Sequence, residues 1–284
     1  MMLIAGASYG VTTPVVKLAV AHHIPVGVVT VLQYPLPLLL FSLGARVARP
    51  DWPALRRHWP WLLLAGAASG ATSLFYYQSL RLVPAALGVV LLFQFVWIAP
   101  LVSYLINRIR LPRHQGRAIL VIWAGTLLAA GTMSGIGDIH ALGIALGLLG
   151  GVAYAVSLVV SGRIPDQISP WHRSLVSTAA GCLMLVLLYH PWPLGVPLAS
   201  ALGWGTLVGI FSQSLPVLLI YLSAPYLGGA LTGILAAMEL PVAVSLSSQW
   251  LHEPVGLAQW AGVAAILLGV VWGSSRPREP SPSS

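Results

Sequence analysis

Ten apolar stretches, each near twenty residues long, divide this chain, and the polar connections between them reach only about a dozen residues. They run approximately over 2–20, 27–45, 60–80, 84–106, 116–133, 141–161, 173–190, 200–222, 227–251 and 255–273. About 20 apolar residues in a helix cross the hydrocarbon core of a bilayer. Inside that core every backbone polar group must be satisfied by the chain itself, so helices or closed barrels are the available folds. Only 7% of residues are charged, against about 25% in soluble domains. The sequence therefore predicts an all-α integral membrane protein with ten transmembrane helices, and no segment is long enough to form a separate soluble domain.

The arginines set an orientation. Arg46, Arg49, Arg56 and Arg57 follow the second stretch, and Arg108, Arg110, Arg113 and Arg117 follow the fourth. Arg163 and Arg173 flank the loop after the sixth, and Arg276 and Arg278 lie in the tail. If the chain alternates, all of these fall on one side, and Arg81 alone among the arginines falls on the other. Positive charge marks the cytoplasmic side, so both termini are expected to be cytoplasmic and the protein to be multi-pass in the cell inner membrane. The net charge of +8 is explained by this topology and does not call for nucleic acid. Cys182 is the single cysteine and lies in an apolar run, where it packs as a small apolar residue. No cleavable signal is expected: the N-terminus lacks a basic region, and the first apolar run holds Pro14 and Lys17.

The two halves repeat at a shift of about 145 residues. Ser8-Tyr9-Gly10-Val11-Thr12 parallels Ala153-Tyr154-Ala155-Val156-Ser157, and Tyr77 parallels Tyr221. Asn107 precedes Gly116 by nine residues, as Glu253 precedes Gly262. Five helices per half is an odd number, so the second half must enter the membrane upside down. The expected units are a first repeat over 1–138, an inverted second repeat over 139–273 and a disordered cytoplasmic tail over 274–284. Inverted repeats recur in secondary transporters, with the solute bound near the midplane between them.

Three places carry a resemblance to a known family: Gly6-Ala7-Ser8-Tyr9-Gly10 through Lys17, Leu91-Leu92-Phe93-Gln94-Phe95, and Glu239-Leu240-Pro241 followed by Glu253 and Gln259-Trp260-Ala261-Gly262. In these the chain resembles the EamA-type branch of the drug/metabolite transporter superfamily, over essentially its whole length. The resemblance implies ten helices in two inverted repeats, an alternating-access carrier, and mostly export of small metabolites or toxic compounds. The chain departs from the pattern at Asn107, where the first repeat often has Glu. It also lacks the helix 1 acid that the small multidrug branch uses for proton exchange, so a simple copy of that mechanism is not expected.

Glu239 is the one charge between Leu227 and Leu251, and a carboxylate at that depth costs several kcal/mol unless it has a partner or a function. At about 1.5 Å per residue, Glu239 lies roughly 18 Å, Lys17 roughly 22 Å and Gln33 roughly 21 Å from the cytoplasmic face. Lys17 is thus expected within reach of Glu239, as a structural counter-ion or beside a responsive carboxylate; alternatively it snorkels outward. Gln33, Gln94 and Gln213 serve either as hydrogen-bonded glue between helices or as cavity-lining groups. Tyr9, Tyr34, Tyr76, Tyr77, Trp97 and Tyr154 are candidates for aromatic walls suited to an apolar or cationic solute, or for packing. Small-residue stripes at Gly143/Gly147/Gly151, Gly6/Gly10, Gly66/Gly70, Gly205/Gly209 and Gly229/Gly233 favour close packing within one bundle over dimerisation. Pro14, Pro35, Pro37, Pro100, Pro216 and Pro241 interrupt helices and mark bending points or fixed kinks.

Other chemistries find little footing. Gly6-Ala7-Ser8-Tyr9-Gly10 fits the GxSxG nucleophile pattern but opens a membrane helix, where the required strand-turn-helix context is missing. The histidines form no paired metal motif. Lys17 is the only lysine, so no phosphate-binding GxxxxGK[ST] loop exists. The function expected is a secondary transporter, by resemblance an exporter, for a small organic metabolite or drug-like solute. Its partners are the lipid bilayer, the solute and, in one variant, protons, with no cofactor and as a monomer or homodimer. The competing readings are an integral-membrane enzyme and a non-transporting scaffold or receptor.

Overall fold

The structure, a computed structural model, describes residues 1–107, 113–131, 140–189, 195–220, 222–223, 235 and 237–274. The described residues form helices and no strand. In chain order these are α1 (Met2–Ala21), α2 (Val26–Leu32), α3 (Pro35–Val47), α4 (Trp52–Leu80), α5 (Ala85–Leu92), α6 (Phe95–Asn107), α7 (Arg113–Gly131), α8 (Ala141–Ser161), α9 (Pro170–Tyr189), α10 (Leu198–Gly209), α11 (Glu239–Leu251) and α12 (Leu257–Ser274). Six described spans are long and apolar enough to cross a membrane: Met2–Ala21, Val26–Val47, Ala85–Leu105, Ala141–Ser161, Pro170–Tyr189 and Leu198–Ile220. Gly116–Ala129 and Leu257–Gly273 are shorter apolar helices. Tyr221, Gly229, Gly233, Arg108, Arg110, Arg276, Arg278 and the tail beyond 274 lie outside the described residues.

Two of the apolar stretches are broken, at matching chemistry. Between α2 and α3, Pro35 takes the first position of the new helix, where no intrahelical N–H bond is needed. The Tyr34 N–H bonds to the Val31 carbonyl, which leaves the Thr30 carbonyl free for the Gln33 side-chain amide at 2.8 Å. Between α5 and α6 the Gln94 N–H bonds to the Leu91 carbonyl, and the Gln94 side-chain amide takes up the Val90 carbonyl at 2.9 Å. Each break therefore carries a glutamine that satisfies the carbonyl the break exposes, as a low-dielectric surrounding requires.

Glycines let the bundle close. A Cβ added at Gly66 would lie 2.1 Å from the Ser177 carbonyl oxygen of α9, and one at Gly209 would lie 2.2 Å from the Gln33 oxygen. Gly143 and Gly147 of α8 face Leu82, Val83 and Leu91, and a Cβ added at Gly10 of α1 would lie 2.7 Å from the Glu239 carbonyl oxygen of α11. These stripes, expected to serve packing inside one bundle, do so at Gly10, Gly66, Gly70, Gly143, Gly147, Gly151, Gly205 and Gly209. The contacts also fix directions. Gly66 and Gly70 meet Ser177 and Gly181 in that order, so α4 and α9 run parallel, while Ser157 bonding to the Ala65 carbonyl at 2.9 Å and Gly143 facing Leu82 make α8 antiparallel to α4. The starts of α4 and α9 and the end of α8 thus share one end of the bundle, with Arg56, Arg57, Arg163 and Arg173. The ends of α1, α4 and α9 and the starts of α5 and α8 share the other.

Gly66→Ala is expected to lower the thermal unfolding midpoint in detergent through a clash worth about 1–3 kcal/mol. Gly203→Ala, with nothing within 4 Å of the added Cβ, is expected to leave it unchanged or raise it. Equal midpoints for the two variants would show that the α4–α9 approach is not tight.

Candidate functional site

A cavity lies between the halves, its surface mostly apolar and set with hydroxyl groups, an amide and one carboxylate. Its outer part is bounded by Tyr9, Tyr34, Ser69, Tyr154 and Gln213 and reaches Ser161, Ser177 and Ile220 at the arginine-rich end. Its inner part shares Tyr9, Ser69, Tyr154 and Gln213 and ends on Thr12, Tyr76, Tyr77 and Glu239. The hydroxyl groups come from a stripe on α4. Ser69, Thr72, Ser73 and Tyr76 stand at i, i+3, i+4 and i+7, which puts them on one face of a helix.

Glu239 is the first residue of α11. The helix dipole favours negative charge at that end, although the Leu240 and Val242 N–H groups are already bonded to the Ala237 and Met238 carbonyls and Pro241 has none. The residue is 5% exposed, and no described residue hydrogen-bonds or ion-pairs with its carboxylate. Gln94 and Glu239 are separated by the repeat shift of 145 residues, so the acid of the second half stands where the first half has the amide of its helix break.

Gln213 enters the cavity because its helix changes pitch. Ile210–Ser214 is a π-helical turn inside the span Leu198–Ile220. Such turns re-aim side chains and concentrate at functional sites. The Phe211 carbonyl accepts the Ser8 hydroxyl at 3.0 Å, and the Ser212 hydroxyl donates to Gln33 Oε1 at 2.8 Å. The same Gln33 oxygen accepts the Tyr77 hydroxyl at 3.0 Å. The Tyr76 hydroxyl is paired with Thr13 Oγ1 at 2.6 Å. Tyr9 and Tyr154 meet edge to face, with centroids 6.4 Å apart, and Tyr154 meets Phe95 at 4.6 Å.

Of the ten residues expected at a cavity, the structure brings six together: Glu239, Gln213, Tyr9, Tyr34, Tyr77 and Tyr154. Four line neither part of this cavity. Gln33 stands behind the wall, fully buried, and ties Tyr77 to Ser212. Gln94 bridges to Thr126 of α7 at 2.8 Å and accepts Trp97 Nε1 at 2.9 Å; Trp97 packs on Trp123. Lys17 does not meet Glu239. Its Nζ pairs with Glu253 Oε1 at 3.1 Å. The reason is register. Glu239 lies level with Gly10, and Lys17 is two turns further along α1, about 10 Å away at the helical rise. It therefore meets the end of α11, which runs beside α1 in the same direction. Glu253 also accepts the Ala85 and Ala86 N–H groups, at 2.8 and 3.2 Å, and so caps the start of α5 with a carboxylate from the other half of the chain.

Reading the sequence for isolated charges overlooked Glu253 as the partner of Lys17 and overlooked the α4 hydroxyls. The hydroxyls had a signal, the i, i+3, i+4, i+7 spacing. The π turn had none that periodicity could register.

Residues 1–131 and 141–274 match the profile of the EamA-like transporter family. A solved structure described as "Crystal structure of protein" superposes with a TM-score of 0.67 at 20% identity, covering 95% of this chain and 95% of its own; at that identity it shows the fold alone. No curated protein matches the chain.

Gln33→Leu is expected to destabilise by about 2 kcal/mol or more, because the buried hydroxyls of Tyr77 and Ser212 and the Thr30 carbonyl lose their partners. Tyr77→Phe removes one donor and is expected to cost about 1 kcal/mol. Thermal unfolding of the two variants checks this order, and a Gln33→Leu midpoint at the wild-type value would remove the glutamine from the wall.

Proposed function

The chain belongs to the EamA-like transporter family, and we propose that it is a secondary carrier that exports a small organic solute by alternating access. On this reading ten helices cross the cell inner membrane as two inverted repeats, 1–138 and 139–273, with both termini and the tail over 274–284 in the cytoplasm. The observation that supports it is the asymmetry of the cavity. The cavity extends from Glu239 to the arginine-rich end, which is the cytoplasmic end by the positive-inside rule. The opposite end is closed by buried Val15, Val16, Ala19, Val83 and Leu87. Above them Lys17 and Glu253 join α1, the start of α5 and the loop after α11. A carrier needs such a seal on one side while the other admits solute. A scaffold would be served by a packed centre, without a carboxylate facing open space.

Outward opening then requires Glu253 to leave both Lys17 and the α5 N–H groups. The three contacts break together because one carboxylate makes all of them. Glu239 and the Ser69, Thr72 and Ser73 side chains of α4 hold the solute near the midplane while the halves rock.

Two measurements test this. In proteoliposomes, counterflow across a panel of small organic solutes is expected to be saturable and to fall at least about tenfold in Glu239→Gln, the size of a lost charged contact. Counterflow that a pH gradient leaves unchanged would exclude proton coupling, and absence of counterflow for every solute would sink the carrier. In a Cys182→Ser background, Glu253→Gln is expected to speed labelling of Val16→Cys by an impermeant thiol reagent added outside, several-fold over the parent. An unchanged labelling rate would mean that the Lys17–Glu253 pair does not hold the outer end shut.

A further inference from the structure

We propose that the solute is an organic monocation, a quaternary or protonated amine with an aromatic or compact apolar body, whose charge rests against Glu239. The proposal rests on the carrier reading for its transport and on the cavity alone for its ligand class. Among the described residues bounding either part of the cavity, Glu239 is the only Asp, Glu, Lys, Arg or His. Its carboxylate is buried, and no described residue pairs with it. Lys17, the membrane cation nearest in sequence logic, is held by Glu253 at the closed end. A buried carboxylate without a counter-charge is costly, so a positively charged ligand gains what the protein does not itself supply. An anionic ligand would add repulsion to desolvation.

The surroundings select the same chemistry. The hydroxyls of Tyr76 and Tyr77 are tied back to Thr13 and Gln33, residues outside the cavity lining. The rings, and not the hydroxyls, are therefore what these two tyrosines offer beside Glu239. Tyr9 and Tyr154 bound the same inner space. Aromatic rings attract cations through the negative charge of their faces, and more strongly where water is excluded. A cation placed at Glu239 meets both the carboxylate and this aromatic wall, while an uncharged body of the same shape meets only the wall.

The test is equilibrium binding to the purified full-length protein in lipid nanodiscs, with radiolabelled phenyltrimethylammonium as the probe. Competitors are tetraethylammonium, the neutral isostere tert-butylbenzene, and benzoate. Saturable binding is expected, displaced by tetraethylammonium and at least about 30-fold less well by tert-butylbenzene or benzoate, the scale of a buried charge pair. Glu239→Gln is expected to weaken binding by a similar factor. Tyr76→Leu, which removes the ring beside Glu239, is expected to weaken it about tenfold. The competition on the wild-type protein decides the matter even if a variant fails to fold. Equal competition by tert-butylbenzene, preference for benzoate, or no saturable cation binding overturns the assignment. Cation binding without counterflow keeps the ligand class and overturns the carrier, whereas counterflow of neutral solutes without cation binding does the reverse.

Discussion

A backbone group without a partner costs several kcal/mol inside a bilayer, and that constraint decides where this chain can depart from regular helix. Each departure has its own compensation. At Gln33 and Gln94 a side-chain amide takes up the carbonyl that the break exposes. In the π turn at Ile210–Ser214 the Phe211 carbonyl receives the Ser8 hydroxyl. At the start of α5 the exposed N–H groups are received by Glu253, which comes from the other half of the sequence. Three of these four irregular positions, at Gln33, the π turn and the start of α5, are therefore also positions where the halves are joined, while Gln94 bonds within the first half.

That coupling gives single side chains two partners at once. Gln33 satisfies its own helix and at the same time anchors Tyr77 and Ser212 on two other elements, so the cavity wall and the helix break share one side chain. Glu253 does the same at the closed end, capping α5 while neutralising Lys17. The difference lies in the setting. Gln33 is fully buried and makes neutral hydrogen bonds, whereas Lys17 and Glu253 are partly exposed. Water can compensate an ion pair at a partly exposed end when it separates, but it has no route to a fully buried amide network without unpacking the wall. The first suits a fixed wall and the second a seal that opens.

Glu239 stands apart from both arrangements. Glu253, in the loop after α11, and Lys17 answer each other, and the two break glutamines answer their own backbone. Glu239 occupies the corresponding place in the second half, where the shift of 145 residues aligns it with Gln94, yet it faces open space. In each half a polar side chain stands where a helix begins, Gln94 just before α6 and Glu239 at the first position of α11. The first half uses it to knit α6 to α7, and the second presents it to the cavity.

The all-helical membrane fold, the family and the isolation of Glu239 among apolar residues were legible in the sequence, because a bilayer tolerates few alternatives and a lone acid among apolar residues is visible without knowing its neighbours. The small-residue stripes were legible for the same reason, since only close backbone approach explains them. The partners were not. Lys17 faces Glu253 because α1 and α11 run in the same direction with Gly10 level with Glu239, and counting residues from a membrane face cannot register one helix against another. Gln33 and Gln94 belong to the wall's scaffolding and Gln213 to its surface, a division set by where each helix breaks or changes pitch. Sequence determined which groups had to be satisfied inside the membrane; the tertiary structure decided which group satisfies which, because that depends on rotation and register that no single helix contains.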